Sequence, residues 1–232
     1  TEHGEFTQAS RAEQGETMSL ATYGRAVTVS RKLLIDDDLN LLGDMTAALG
    51  QAAAQTEADE LVNTLTCNPN LSDGTPVFHA SRGNLAGSGT AIGSAGDLTA
   101  LDAARQAMRT RTGLDGSTII DARPRFLLVG PSQETDAEKL LSTIYPATKD
   151  DAVPFASRLE LIVEPRITGD DWWLFADPAR VPSLQFAYLQ SAQGVQIQRR
   201  EAWSTLGMEF RAFLDFGTGW ADWRGAYQNP GD

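Results

Sequence analysis

The residues of this chain that could do chemistry are few and scattered. Cys67 and His79, with Asp73 between them, have the types of a cysteine–histidine dyad with an orienting acid, an arrangement that activates a thiolate for nucleophilic attack. Against that, Cys67 closes a predicted helix, where the dipole disfavours a thiolate, and a lone cysteine is ordinarily a small hydrophobe. His79, within Phe78-His79-Ala80, reads as a loop histidine with local hydrogen bonds. Asp36-Asp37-Asp38 could meet a cation, but the segment supplies no converging carbonyl or carboxylate partners, and helix capping accounts for the run. Asp170-Asp171 reads as a turn. Residues 87–93, Gly-Ser-Gly-Thr-Ala-Ile-Gly, superficially match a nucleotide loop, yet they follow no strand and lack the Lys-Ser/Thr pair. Trp172, Trp173, Trp203, Trp220 and Trp223 are too dispersed for a stacking platform. No HExxH and no nucleophile elbow occurs. The sequence therefore predicts no catalytic residue, no cofactor and no metal, with an enzyme using Cys67 and His79 as a lesser alternative.

Bulk properties narrow the class. The chain has 232 residues, 41% hydrophobic and 22% charged, which are globular values. No run of 18 apolar residues is present, so no membrane span is predicted. The start has neither a basic flank nor an apolar stretch of a leader, and the absence of an initial methionine fits a processed or trimmed piece of something longer. One cysteine excludes a disulfide framework within the chain. A net charge of −12 argues against generic phosphate-backbone binding. An acidic wall would suit a container that must not stick to nucleic acid it encloses.

The elements that would position any site are organised around residues 39–66, which read as one helix of about 28 residues, roughly 40 Å long. Asp36–Asp38 precede it, and Leu42, Met45, Leu49 and Ala52 begin an apolar stripe that Ala54, Ala58, Leu61 and Leu65 continue. Asn68-Pro69 stops it. Gly43, Gly50 and a crowd of alanines leave room for another backbone to come close, so the helix reads as a spine on which sheets hang.

Ahead of the spine, Glu5–Ser10 and Thr17–Ser30 flank a polar turn and predict a β-hairpin arm. Its outer half is poor in apolar groups, whereas Tyr23, Val27 and Val29 should root its inner half in the body. Such a weak hairpin either stays mobile or finds its partner on another molecule. After the spine, residues 70–97 predict a long surface loop with a strand-like island at Val77–His79. A second helix is expected over Leu98–Arg111, capped by Gly113. Strands at 125–129, 159–163 and 172–175, with a helix over 135–145, predict an α/β unit spanning 114–190. Val195, Ile197 and Trp203 mark one extended segment. Met208, Phe210, Ala212, Leu214 and Phe216 then alternate with polar neighbours as a half-buried strand, followed by a turn at Gly217-Thr218-Gly219 and an extended continuation through Trp220–Trp223. The closing strands are expected to return to the spine and pair near the start of the chain.

Taken in order, TYGRAVTVSRKLLIDDDL, LSDGTPVFHASRGNL, RPRFLLVGP, WWLFADPARVPSLQFAYL and LDFGTGWADWRGAYQNPG resemble the major capsid proteins of tailed bacteriophages, including those encoded fused behind a prohead protease. The resemblance covers essentially the whole chain and rests on the order of five segments. It implies an α+β, Hong Kong 97-like capsid fold: an extended E-loop at 1–34, a peripheral P-domain at 35–113 and 191–232, and an axial A-domain at 114–190. It implies a shell subunit whose partners are further copies of itself in hexamers and pentamers, with portal, scaffold or protease and decoration proteins as further partners. The shell would enclose double-stranded DNA without sequence-specific binding, assemble in the bacterial cytoplasm and reside in the virion. On the arm, Phe6, Glu13, Glu16, Met18, Leu20 and Tyr23 become the expected subunit contacts. One family member cross-links its arm through a lysine. Residues 1–30 here contain none, Lys32 being the nearest, so non-covalent contacts are expected. An encapsulin-like compartment holding protein cargo is the alternative on the same fold.

Overall fold

A 14-residue strand, β7 (Gly207–Trp220), holds half of the molecule together in this computed structural model. The structure describes residues 15–32, 41–141, 159–202 and 206–231, with the side chains of 41–45 excepted. Along one edge β7 pairs antiparallel with β1 (Ala21–Ser30), from Ala21 opposite Phe216 to Ser30 opposite Gly207. Along the other it pairs with β5 (Leu184–Tyr188) and then with β6 (Gln196–Glu201). The expected alternation is present: Ala212, Leu214 and Phe216 are buried on one face. On the opposite face Arg200 donates to Glu209 at 2.6 Å, Arg211 donates to Gln198, and the Thr22 hydroxyl donates to Asp215. These cross-strand polar pairs fix register on a solvated face, because a one-residue slip would bury them. Phe213 breaks the alternation and lies under the Arg211 guanidinium, 5.6 Å from its ring centre.

The expected turn at 217–219 is not a turn. β7 runs straight through it, and a 3-10 turn at Trp223–Gly225 makes the reversal instead. The glycines serve a close crossing: residues 18–20 pass over this part of β7, where a Cβ on Gly217 would sit 2.3 Å from the Ser19 carbonyl. The arm's inner strand accordingly begins at Ala21, not Thr17. Its expected outer strand, Glu5–Ser10, lies outside the described residues.

The spine is α1 (Leu41–Thr66). It crosses the first sheet on the Leu214 face and is tied there by a Thr64–Thr218 hydroxyl pair and by the Trp220 indole, which donates to the Thr64 carbonyl at 3.3 Å. Asn68, at φ +46°, reverses the chain; its side chain accepts from the Phe78 N–H and donates to the Phe78 carbonyl. Proline at 69 and a residue that tolerates the left-handed region at 68 explain the stop that the sequence predicts.

The second sheet has the order β3-β2-β4-β8, from β2 (Pro124–Val129), β3 (Glu160–Val163), β4 (Trp172–Ala176) and β8 (Ala226–Asn229). β2 and β3 are parallel and the other pairs antiparallel. α2 (Asp97–Arg109) and α3 (Glu134–Leu141) cover one face. Period-two geometry sends Trp172 into that cluster, with Leu101, Met108 and Leu127. Trp173 points the other way, into a cluster with Phe78, Leu65 and Trp220 where spine, loop and both sheets meet. There Phe78 meets Trp220 edge-on at 5.3 Å, a favourable aromatic geometry. β5, inside 114–190, pairs with β7, and β8, inside 191–232, pairs with β4, so the two sheets exchange strands across those intervals.

Residues 70–97 are irregular and lie mostly at the surface, as glycine and serine suggest, but the stretch is anchored. Val77, Phe78, Asn84 and Ile92 are buried. Val77–His79 is bent, not extended, because the Asn84 side chain accepts from the His79 N–H and donates to the Val77 carbonyl. The same stretch bonds the open edge of β8 through Asn84, Ala86 and Gln228, which protects that edge from further pairing. Gly113 is likewise not a cap. α2 ends before Thr110, and Gly113 pairs with Thr118 in the following turn.

Candidate subunit-contact surface

The residues proposed for catalysis do not converge. The Cys67 thiol is exposed and its nearest partner is the Thr64 carbonyl at 3.8 Å. The His79 Nδ1 is held by Ser81, at 2.7 Å from its hydroxyl and 3.2 Å from its N–H, so this ring caps a 3-10 turn. Asp73 accepts from the Thr75 N–H and from Arg82, and these hold its carboxyl below the usual carboxylate range. Each member of the supposed triad is spent on a different local partner. Among the described residues no group of three or more His, Cys, Asp or Glu is placed to hold a metal. Asp36–Asp38 lie outside them. Asp171 is pushed up by burial and by the neighbouring Asp170.

The arm residues divide into two kinds. Phe6 and Glu13 lie outside the described residues. Glu16 is committed within its own chain: the Ser72 N–H and hydroxyl donate to its two carboxylate oxygens at 2.9 and 2.8 Å. Tyr23 is also an internal contact, hydrogen-bonded to Glu60 on α1, and burial together with that carboxylate pushes its phenol up. Tyr188 on β5 makes the same contact with Glu57. Two tyrosine–glutamate contacts thus lash the spine to strands on opposite sides of β7. Met18 and Leu20 remain open, 40% and 43% exposed, where the arm crosses Gly219 and Gly217. Of the expected contact residues that are described, these two are the ones left exposed.

Further apolar surface is open, and it includes Val27, expected from the sequence to root the arm in the body. Val27 on β1 and Ile197 on β6 are 38% and 41% exposed. Beside them a groove of about 530 Å³ separates β1 from the spine, with Leu49, Ala52, Ala53 and Thr56 along one wall. Gly50 has nothing within 4 Å of where its Cβ would stand. At Gly50 the spine therefore faces space, not a backbone of the same chain. A second groove of about 510 Å³ runs between Leu71, Leu114, Ile119, Val181 and Trp223. Its floor is braced by guanidiniums: Arg224, Arg82 and Arg111 stand 4.8, 5.1 and 5.6 Å from the Trp223 ring. Arg111 is buried, donates to the carbonyls of Arg224, Ala226 and Gly83, and is pushed down to about 10 by that burial. An open apolar groove floored by an arginine-stacked aromatic, as the second one is, suits contact with another molecule.

The chain matches the family model described as phage capsid protein over residues 14–229. No curated protein matches it in sequence. Its fold is similar to the capsid of Myoviridae phage XM1, at TM-score 0.62 and 10% identity, covering 93% of this chain and 74% of that one. It is similar to the capsid of cyanophage P-SCSP1u, at TM-score 0.56 and 11% identity, covering 100% and 80%. The holo-SrpI encapsulin complex of Synechococcus elongatus PCC 7942 shares the fold at TM-score 0.57 and 11% identity, covering 92% and 74%.

Proposed function

This chain belongs to the phage capsid protein family, and from that premise we propose how it serves its shell. The protein is the structural subunit of a phage head, with the Hong Kong 97-like fold, and it associates with copies of itself. The reading is carried by one observation, the family match over nearly the whole chain, and the open apolar faces around β1, β6 and the spine are in keeping with it.

In finer terms, residues 1–34 act as the E-loop, 35–113 and 191–232 as the P-domain and 114–190 as the A-domain, with β5 and β8 as the strands that lock the last two together. Copies form hexamers and pentamers, closing in the host cytoplasm around double-stranded DNA with portal, scaffold or protease and decoration proteins. The subunit performs no catalysis. Each contact is modest, and closed symmetry multiplies it. Because residues 1–30 hold no lysine, the contacts are non-covalent. Light scattering with negative-stain electron microscopy tests the reading: closed shells tens of nanometres across are expected, and a full-length chain that stays monomeric overturns it. The likeness to an encapsulin favours a second reading, a compartment for protein cargo. Shells that carry nuclease-sensitive DNA support the phage head, and shells filled with one enzyme support the compartment.

A further inference from the structure

The two sheets use their arginines differently. Around the second sheet the arginines are largely used within the chain: Arg109 and Arg123 share Asp121, Arg125 meets Asp177, and Arg166 meets Asp59 and Glu164. On the first sheet Arg25 and Arg199 are exposed and have no ion-pair partner among the described residues. Both project from one face. Arg25 stands opposite Ala212, which stands opposite Ile197; Val27 stands opposite Phe210, which stands opposite Arg199. The result is an apolar centre, Val27, Phe210 and Ile197, with an arginine on either side. This is the pattern of an interface, an apolar core inside a charged rim. It continues into the groove between β1 and the spine.

The far end of the second sheet has the opposite sign. Asp97, Glu134, Asp136, Glu138, Asp170 and Asp171 gather where β2, β4 and β8 end. The Gly93 N–H donates to Asp97, Gly93 packs against Asp136, and the Gln133 side chain donates to the Asp170 carbonyl, which draws these segments together. Lys139 is bonded to Asp136 within this group.

We propose that the β1–β7–β6 face of one copy docks on this acidic end of a second copy, a head-to-tail contact that repeats around a ring. The inference rests on the shell reading and adds which surfaces meet. Two unlike patches on one chain form a heterologous contact, and such contacts close into rings when the rotation allows. Steering by opposite charge and burial of Val27 and Ile197 supply speed and adhesion.

The test is a charge swap in the full chain. R25E/R199E and E134K/E138K should each lower the yield of closed particles about tenfold or more at low salt, as like charges oppose docking. All four changes in one chain should restore it. Circular dichroism and thermal melting of each variant should match the parent, because all four side chains are exposed. Wild-type assembly with no recovery in the fourfold variant overturns the contact and leaves the shell reading standing. A wild-type chain that never assembles overturns both. Normal assembly of R25E/R199E, with retention of a DNA fragment lost instead, assigns the patch to nucleic acid and overturns the proposal.

Discussion

The two sheets of this subunit bury their faces in different ways. In the β3-β2-β4-β8 sheet the inner strand β4 is covered by its own chain on both sides, with α2 and α3 on one and the spine's end and the 70–97 stretch on the other, so Trp172, Trp173 and Leu174 are all within 1% of full burial, while on the edge strand β3 Ile162 stays 42% exposed. The β1-β7-β5 sheet has one solvated polar face and one face that the spine covers only in part. Phe186, Val27 and Ile197 there stay between 38% and 54% exposed. A core finished within the chain makes a stable body. A core left open can be completed by another molecule, which under the proposed contact is a neighbouring copy. The first region should therefore set the stability of the monomer, and the second the stability of the particle.

The largest effect that can break this contrast is Trp172→Ala. It removes a fully buried ring and the indole bond to the Thr90 carbonyl, and should cost the monomer about 3–5 kcal/mol in chemical denaturation. Arg111→Lys comes next. An ammonium cannot serve the carbonyls of Arg224, Ala226 and Gly83 and stack on Trp223 together, so about 2 kcal/mol should be lost in the same assay. Gly217→Val should cost the monomer about 1–3 kcal/mol, since its Cβ meets the Ser19 carbonyl. Its distinguishing sign is faster proteolytic cleavage at residues 15–20, with the protection of β4 unchanged. Ile197→Ala should be the smallest, under about 0.5 kcal/mol in the monomer for an exposed side chain, yet particles should dissociate at lower denaturant. An equal loss in monomer and particle would contradict the division of labour.

Much of this is legible in the sequence. The spine, the period-two strand 208–216 and the apolar run at 125–129 carry periodicities that depend on neighbours near in sequence, and each falls within the element observed there, although the strand runs on to Trp220. What failed to show were non-local choices. Gly217 and Gly219 carry the same composition for a turn as for a close crossing, and only the path of residues 18–20 decides between them. Glycine and serine announce 70–97 as surface, but not the four buried anchors, among them Val77 and Phe78, that pin it to the body. The exchange of β5 and β8 between sheets leaves no trace in either segment's pattern. For the contact surface, Met18 and Leu20 were readable as exposed apolar groups on an arm. Glu16 and Tyr23 were not readable as internal, because Ser72 and Glu60 lie far from them in sequence. The Arg25–Arg199 face needed the strand register before it could be seen.

Hydrogen exchange on assembled particles against dissociated subunits tests the central claim most directly. The account predicts that assembly adds protection to residues 21–30, 196–201 and the exposed length of the spine from 46 to 60, while 124–129 and 172–176 are equally protected in both states. Added protection confined to the second sheet, or none at β1 and β6, would contradict it.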